Sequence, residues 1–377
     1  MLGRLVNDGM TLLSSSSSST DKKNQTRTPP SNREKPLLAG RLLAMRNSWP
    51  GEGIWGDTLP LFRKSNLNVI NLETTITSHL EKAWENKAFH FRMDPHNLPV
   101  LKEAEIDYAS LANNHILDFG VEGMVETCKE LSQAKIQWAG VGHSFDEARK
   151  HALLESRSSG TAPNFIDNNN NSSNTTPTVT VAAFSFSDHG SCIHGFNSAH
   201  NSPADLWAAD IDKTGINFLD RELYDIGNDK LGLKDLLKHP KFSSQADLSM
   251  VSMHWGPNYS WRPSNAIQNM ADFLASECAI DIVHGHSSHH VQGIQFLQSN
   301  KEDPEHITTV LYGCGDFITD YAVDPVYRND LGALYQLHYS GCESPRQQQQ
   351  VRFEQLDAFP TRIDGLAVHR LYATSED

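Results

Sequence analysis

The sequence is poor in cysteine and in basic residues, and it contains no long apolar run. Its five cysteines (Cys128, Cys192, Cys278, Cys314 and Cys342) are odd in number, far apart and form no CxxC pair. This argues against a Cys-type structural zinc site and reads as reduced thiols serving as small apolar side chains, which points to a cytoplasmic location. Lysine and arginine number 32 against 46 aspartates and glutamates, a formal charge of −14. A nucleic-acid partner is excluded on that balance, because such binding relies on cations that neutralise phosphates. An anionic small-molecule or polymer substrate is not excluded, since a bound divalent cation can supply local positive charge. No stretch reaches the roughly 18 apolar residues of a membrane helix, so no membrane span is expected. Met10 to Leu13 followed by six serines does not make a signal-peptide core.

What remains fits a soluble globular chain: 377 residues, 38% hydrophobic, with a mean hydropathy of −0.47, enough for one large domain or two average ones. Residues 14–36 and 164–177 are low-complexity tracts, and the glutamine run Gln347–Gln350 marks a third at about 345–350. With no apolar set to bury, they read as disordered inserts in surface loops, where added length costs little entropy. They interrupt what is expected to be a single domain spanning 1–377. Nothing in the sequence fixes an oligomeric state.

Between the inserts, strand-like runs alternate with helix-like ones. Strands are expected at Asn68–Leu72, Tyr108–Ala112, Ile136–Val141, Thr178–Phe186, Leu248–Met253, Ile280–His284 and Thr308–Tyr312. Helices are expected at Leu98–Glu105, Val121–Ala134, Lys230–Lys238 and Ala266–Cys278. Such alternation predicts a mostly parallel, doubly covered sheet, with Val291–Phe296 and Leu334–His338 as an antiparallel continuation. Three strands open on an acid and close in a polar cluster: Asp107-YASLA-NNH, Asp247-LSMVSM-HWG and Asp281-IV-HGHSSHH. NVI-NLE closes in the same way without the acid. Ligands of open α/β sheets bind beyond the carboxyl ends of the strands, so the four clusters could converge.

HGHSSHH places His284, His286, His289 and His290 within seven residues of a strand end. Neutral imidazole is a common metal ligand, and a turn can aim two rings at one point. His286 and His289 are expected to point inward and His284 to the other face, with His290 undecided. His254 ends a strand ahead of Gly256, and is as consistent with a structural histidine as with a ligand. Asn113-Asn114 could be a turn or helix cap, or could give one carbonyl to a hard cation. In the second case His115 is a candidate general acid or electrophile, oriented by Asp118. Glu73 could bridge two cations or serve as a cap or ion-pair partner. Together these oxygen and nitrogen donors suit manganese, iron, zinc or a mixed pair. Two cations about 3.5–4 Å apart activate a water and clamp a phosphoryl or carbonyl oxygen, so the reaction class is metal-assisted hydrolysis.

The series MLGR, WGDTLP, NLETTIT, KAFHFRMDP, LANNHILDFG, HWGPN, GHSSHHVQGI and LYGCGDFITDY resembles the CapA family, associated with poly-γ-glutamate capsule synthesis and similar to calcineurin-like metallophosphoesterases. The resemblance implies an α/β fold, a four-layer α/β/β/α sandwich of metallophosphatase type, with two divalent metal ions between the sheets. Carried over, Glu73 stands at the bridging carboxylate, Asn114 at the asparagine ligand and His115 at the catalytic histidine. His254, His286 and His289 match the remaining histidine ligands. Arg4, Lys87, His90 and Arg92 are expected to hold an anionic substrate, with His90 and Arg92 on one face of a strand. Asp57 is expected to cap a helix with Pro60 in its first turn, and Asp316 and Asp320 to hold a glycine-rich turn near the site.

Family members carry a first strand ending in Gly-Asp just ahead of the segment that reads Met1-Leu2-Gly3-Arg4 here. On this reading the first strand is truncated and the first metal lacks an aspartate, leaving the chain with one metal or requiring in-frame upstream sequence. Three functions follow as expectations: a metal-dependent hydrolase, a non-catalytic accessory protein that binds an acidic polymer, or a degenerate inactive relative.

Overall fold

The computed structural model describes residues 53–83, 87, 89–157, 165–166, 172–173, 178–188, 208–210, 212–219, 232–238, 246–298, 303–319, 321–343, 349–364 and 367–372. Arg4, Asp320, the tract 14–36 and most of 164–177 lie outside these residues. Within that last tract, Phe165–Ile166 and Ser172–Ser173 pair antiparallel. The glutamine run does not end in a loop, because its last residues open a strand at Gln349.

The fold is mixed α/β with several sheets. The first sheet holds β1 (Val69–Asn71), β2 (Tyr108–Ser110) and β3 (Gln137–Ala139), all parallel. The second has six strands: β4 (Ala152–Glu155), β5 (Thr180–Ser187), β6 (Leu248–His254), β7 (Ile282–His286), β8 (Ile294–Leu297) and β9 (Thr308–Leu311). Their spatial order is β8-β9-β7-β6-β5-β4, with only the two edge strands antiparallel. The expected antiparallel continuation therefore divides. Ile294–Leu297 joins the second sheet, whereas Leu334–His338 lies in β10 (Leu331–Glu343), which pairs with β11 (Gln349–Asp364) and β12 (Ala367–Arg370) in a separate antiparallel sheet.

Alternation along the strands sends neighbouring residues to opposite faces. On β5, Val181 and Ala183 join a cluster with Tyr108 and Ala139 of the first sheet, while Ala182, Phe184 and Phe186 join a cluster with Ile267, Met270 and Leu274 of the helix Asn265–Ser276. On β6, Leu248 and Met250 go with the former, and Val251 and Met253 with the latter. Each valine, leucine, isoleucine, methionine or phenylalanine among them contributes about 1.5–3 kcal/mol when fully buried. The helices are α1 (Leu59–Lys64), α2 (Pro99–Glu103), α3 (Gly120–Gln133) and α4 (Asn265–Ser276). Leu59, Leu101, Met124 and Leu131 cluster with Ala109 and Ile70 on the first sheet's other side.

The three strand-opening aspartates pin the register. The carboxylate of Asp107 accepts from Asn68 N at 2.6 Å, that of Asp247 from Thr180 N at 2.7 Å, and that of Asp281 from Ser249 N at 2.7 Å. Each acid thus holds the entrance of the adjacent parallel strand, and the opposite, carboxyl ends are left for the polar clusters.

Candidate metal centre

Glu73 follows β1 and is buried. Its segment is fixed from two sides. Thr75 N and Thr77 N donate to Phe91 O and Met93 O at 3.2 and 3.1 Å, and Ile76 N donates to Thr127 Oγ1 of α3 at 2.9 Å. The Glu73 carboxylate accepts at Oε2 from Asn71 Nδ2 at 2.9 Å, while Oε1 is buried without a hydrogen-bond partner. Burial raises the Glu73 pKa, against a lowering influence from His289.

LANNH turns directly after β2. Asn113 is structural: its amide donates to Leu72 O at 3.0 Å and its carbonyl accepts from His115 N at 3.1 Å. Asn114 Oδ1 is buried and unpartnered. His115 Nδ1 lies 2.7 Å from Asp118 Oδ2, an oxygen that also accepts from Phe91 N at 2.7 Å. Lys87 completes the group, ion-paired with Asp118 Oδ1, 2.5 Å from Asn114 O and 3.3 Å from His115 Nδ1. Burial, followed by the Lys87 cation, lowers the His115 pKa to about 4 despite Asp118. Asp118 is held below the ordinary carboxylate value by His115 and Lys87, which outweigh its burial. The result is a neutral imidazole with Nδ1–H directed at a carboxylate.

The histidine half lies at the ends of β6 and β7. His254 Nδ1 and His286 Nδ1 face each other at 2.8 Å. His284 does not alternate away from His286. Two residues apart on one strand, both rings meet Ser252 Oγ, at 2.9 and 3.1 Å. Burial lowers the His284 pKa to about 4 and that of His286 well below the ordinary value. Gly285 between them lets the end of β9 approach, because a Cβ there would lie 2.5 Å from Leu311 O and 2.4 Å from the adjoining Tyr312 O. The following turn has positive φ at Ser287 (99°) and His289 (59°), sparsely populated conformations that cluster at functional sites. It aims His289 Nδ1 at Asp316, 3.0 and 3.2 Å from the two oxygens. Burial alone would lower the His289 pKa; Asp316, then Glu73, raise it to about 9. His290 is buried, with Nδ1 2.7 Å from Ser288 O and its ring against Trp261 and Tyr327. Gly256 adopts φ of 75° and donates its N–H to Asp188 at 3.1 Å, so this glycine is required by the backbone conformation.

Rings connect the two halves. Phe91 lies 4.2 Å from His115, Tyr321 lies 5.5 Å from Phe91, and the same Tyr321 lies 5.5 Å from His289. Among the described residues, no group of three or more His, Cys, Asp or Glu side chains is gathered to hold a metal ion. The donor chemistry nevertheless fits a hard or borderline divalent cation: Glu73 Oε1 and Asn114 Oδ1 are buried acceptors without a donor, an arrangement a bound cation would satisfy.

Residues 22–321 match the family described as Bacterial capsule synthesis protein PGA_cap. The chain belongs to that family. It is 32% identical over 294 residues to a protein of Mycobacterium tuberculosis named as a probable polyglutamine synthesis accessory protein, covering 76% of this chain and 64% of the relative. It is 24% identical to the PGA biosynthesis protein CapA of Bacillus subtilis, over 75% of this chain and 61% of that one. The capsule biosynthesis protein CapA of Bacillus anthracis is 23% identical, over 73% and 55%. The chain thus spans under two thirds of the length of these curated relatives.

The remaining positions of this PGA_cap chain fall as follows. Arg92 Nη1 donates to Thr77 O at 2.7 Å and lies 3.8 Å from Asp94, and His90 is edge-on to Phe119. Lys87 is drawn into the His115–Asp118 pair, as described above. Asp57 does not cap a helix: α1 begins after Thr58 without a side-chain cap, and Asp57 accepts from Arg370 N at 2.8 Å and Tyr372 OH at 3.2 Å. Pro60 does occupy the first turn of that helix. Sequence reasoning missed Asn71, Ser252 and the rings of Phe91, Tyr321 and Tyr259, the last lying 5.6 Å from the His289 ring. Asn71, two residues before Glu73, and Ser252, two residues before His254 on β6, carried a periodic signal.

Proposed function

We propose that this PGA_cap chain is a metal-dependent hydrolase of the calcineurin-like phosphoesterase type, acting on a phosphoester or poly-γ-glutamyl-type anionic substrate. The observation that carries this reading is that Glu73 Oε1 and Asn114 Oδ1 are each buried without a hydrogen-bond partner, Asn114 directly preceding the His115 that pairs with Asp118. Glu73, Asn114, His254, His286 and His289 would hold divalent cations, two where the shell is complete, of manganese, iron or zinc type. Such cations polarise a substrate oxygen and lower the pKa of water. Asp118 fixes the Nδ1–H tautomer of His115, leaving Nε2 for the substrate. An anionic group brought beside Nε2 opposes burial and the Lys87 cation, favours the protonated ring, and so prepares it to donate to the leaving oxygen. The two-sided burial of β5 and β6 supports the four-layer α/β/β/α arrangement of the metallophosphatase type.

A second reading, an accessory protein that holds an acidic polymer, is favoured by the name of the mycobacterial relative. Turnover separates the two. His115→Ala should abolish hydrolysis of diphenyl phosphate, whose more basic phenolate leaving group draws on the acid, while leaving metal content intact. Retained hydrolysis would reject His115 as the acid, and absence of hydrolysis in the metal-loaded wild type would favour the accessory role.

A further inference from the structure

Phe89 is 57% exposed. A lone exposed apolar residue is ordinary, but this one is placed unusually with respect to the site. It stacks on Phe91 (centroids 6.5 Å apart, planes within 10°) and meets Tyr321 edge-on at 5.5 Å. Both of these supporting rings touch an imidazole of the site: Phe91 contacts His115 at 4.2 Å and Tyr321 contacts His289 at 5.5 Å. Phe89 is therefore one ring removed from each half of the centre, on a rigid aromatic base.

Charge argues in the same direction. Lys87 is engaged by Asp118 and Asn114 O, and Arg92 by Thr77 O and Asp94. The chain carries −14 overall, which opposes the approach of a long polyanion. A single anionic group joined to a ring meets neither obstacle, and its ring gains an aromatic surface to cover.

We propose that Phe89 and Tyr321 form a ring-binding subsite that takes the apolar face of an aryl or sugar ring joined to the substrate's anionic group. This deepens the phosphoester form of the hydrolase reading, not its poly-γ-glutamyl form, and rests on it for the seat of the anion. The test reads binding without turnover. Phenylphosphonate and methylphosphonate are titrated calorimetrically into the full-length wild-type chain and into Phe89→Ala, a surface change that leaves the fold in place.

Phenylphosphonate should bind the wild type about tenfold more tightly than methylphosphonate, and the preference should vanish in Phe89→Ala with methylphosphonate affinity unchanged. Equal affinities in the wild type, or a preference that survives Phe89→Ala, would overturn the subsite alone. Failure of both ligands to bind would overturn the subsite together with the anion seat beneath it. Where the preference is seen, glucose 1-phosphate in place of phenylphosphonate separates the two ring classes: a Phe89-dependent gain over methylphosphonate assigns sugar as well as aryl, and its absence assigns aryl only.

Discussion

His289 Nδ1 lies 3.0 Å from one carboxylate oxygen of Asp316 and 3.2 Å from the other. This contact commits one ring nitrogen and so determines that Nε2 is the one available to a cation. Removing the partner of a ligating histidine typically costs 10–100-fold in metal affinity. Asp316→Asn should therefore weaken metal binding by about that factor, as read by competition with a chromogenic chelator, while far-ultraviolet circular dichroism stays unchanged.

The buried histidines predict a stability profile for the metal-stripped protein with two limbs. In the unfolded chain they titrate near 6.5. His115 and His284, with folded values of about 4, and His286, also lowered, resist protonation in the native state. Stability should then fall as the pH drops from about 6.5 towards 4. His289 has the opposite sign: its folded value of about 9 gives stability that is present below about 6.5 and lost as the pH rises through 9. Urea midpoints across this range should peak between the limbs, and His289→Gln should flatten the alkaline one. A midpoint that climbs steadily from pH 7 to 9 would contradict the His289–Asp316 pairing.

Lys87 and Asp118 are both buried, with side chains 4% and 0% exposed. Taking away one member of a buried ion pair leaves the other uncompensated, at a cost of about 3–5 kcal/mol. Lys87→Met should lower the denaturation free energy by about that amount. Lys87→Met combined with Asp118→Asn should recover part of it, because no charge is then left buried alone. A loss below about 1 kcal/mol would place the pair in the class of exposed salt bridges.

The strand-opening acids offer a contrast far from the chemistry. Asp247→Ala removes the acceptor for Thr180 N and Thr180 Oγ1 at 2.7 and 2.8 Å. Because these bonds are exposed, the expected cost is about 0.5–1.5 kcal/mol, seen as a lower urea midpoint with metal affinity unaltered. A change in metal affinity would mean that register at the strand entrance reaches the opposite end.

Much of this was legible in the sequence, because its signals are local. Short, mostly apolar runs marked β5 and β6, and the aspartates preceding β2, β6 and β7 marked strand entrances. Clustering of polar residues after β1, β2, β6 and β7 marked the end that matters. His284 was misjudged because the side-chain period within β7 was not applied to residues two apart. Asp57 was misjudged because its partner, Arg370 N, is 313 residues away. Lys87 read as a substrate contact because a buried ion pair with Asp118, 31 residues on, is visible only after folding. Phe91 and Tyr321 lie in the family-matching segments KAFHFRMDP and LYGCGDFITDY but carried no chemical signal of their own; their place beside the site comes from packing against imidazoles supplied by other elements.

Elemental analysis of the purified protein, wild type beside His286→Ala, bears most directly on whether these donors form a metal centre. Stoichiometric divalent manganese, iron or zinc should copurify with the wild type and be lost or sharply reduced in His286→Ala. Wild-type protein that remains metal-free after incubation with these ions would contradict the metal-centre reading and leave the buried oxygens of Glu73 and Asn114 to be explained in another way.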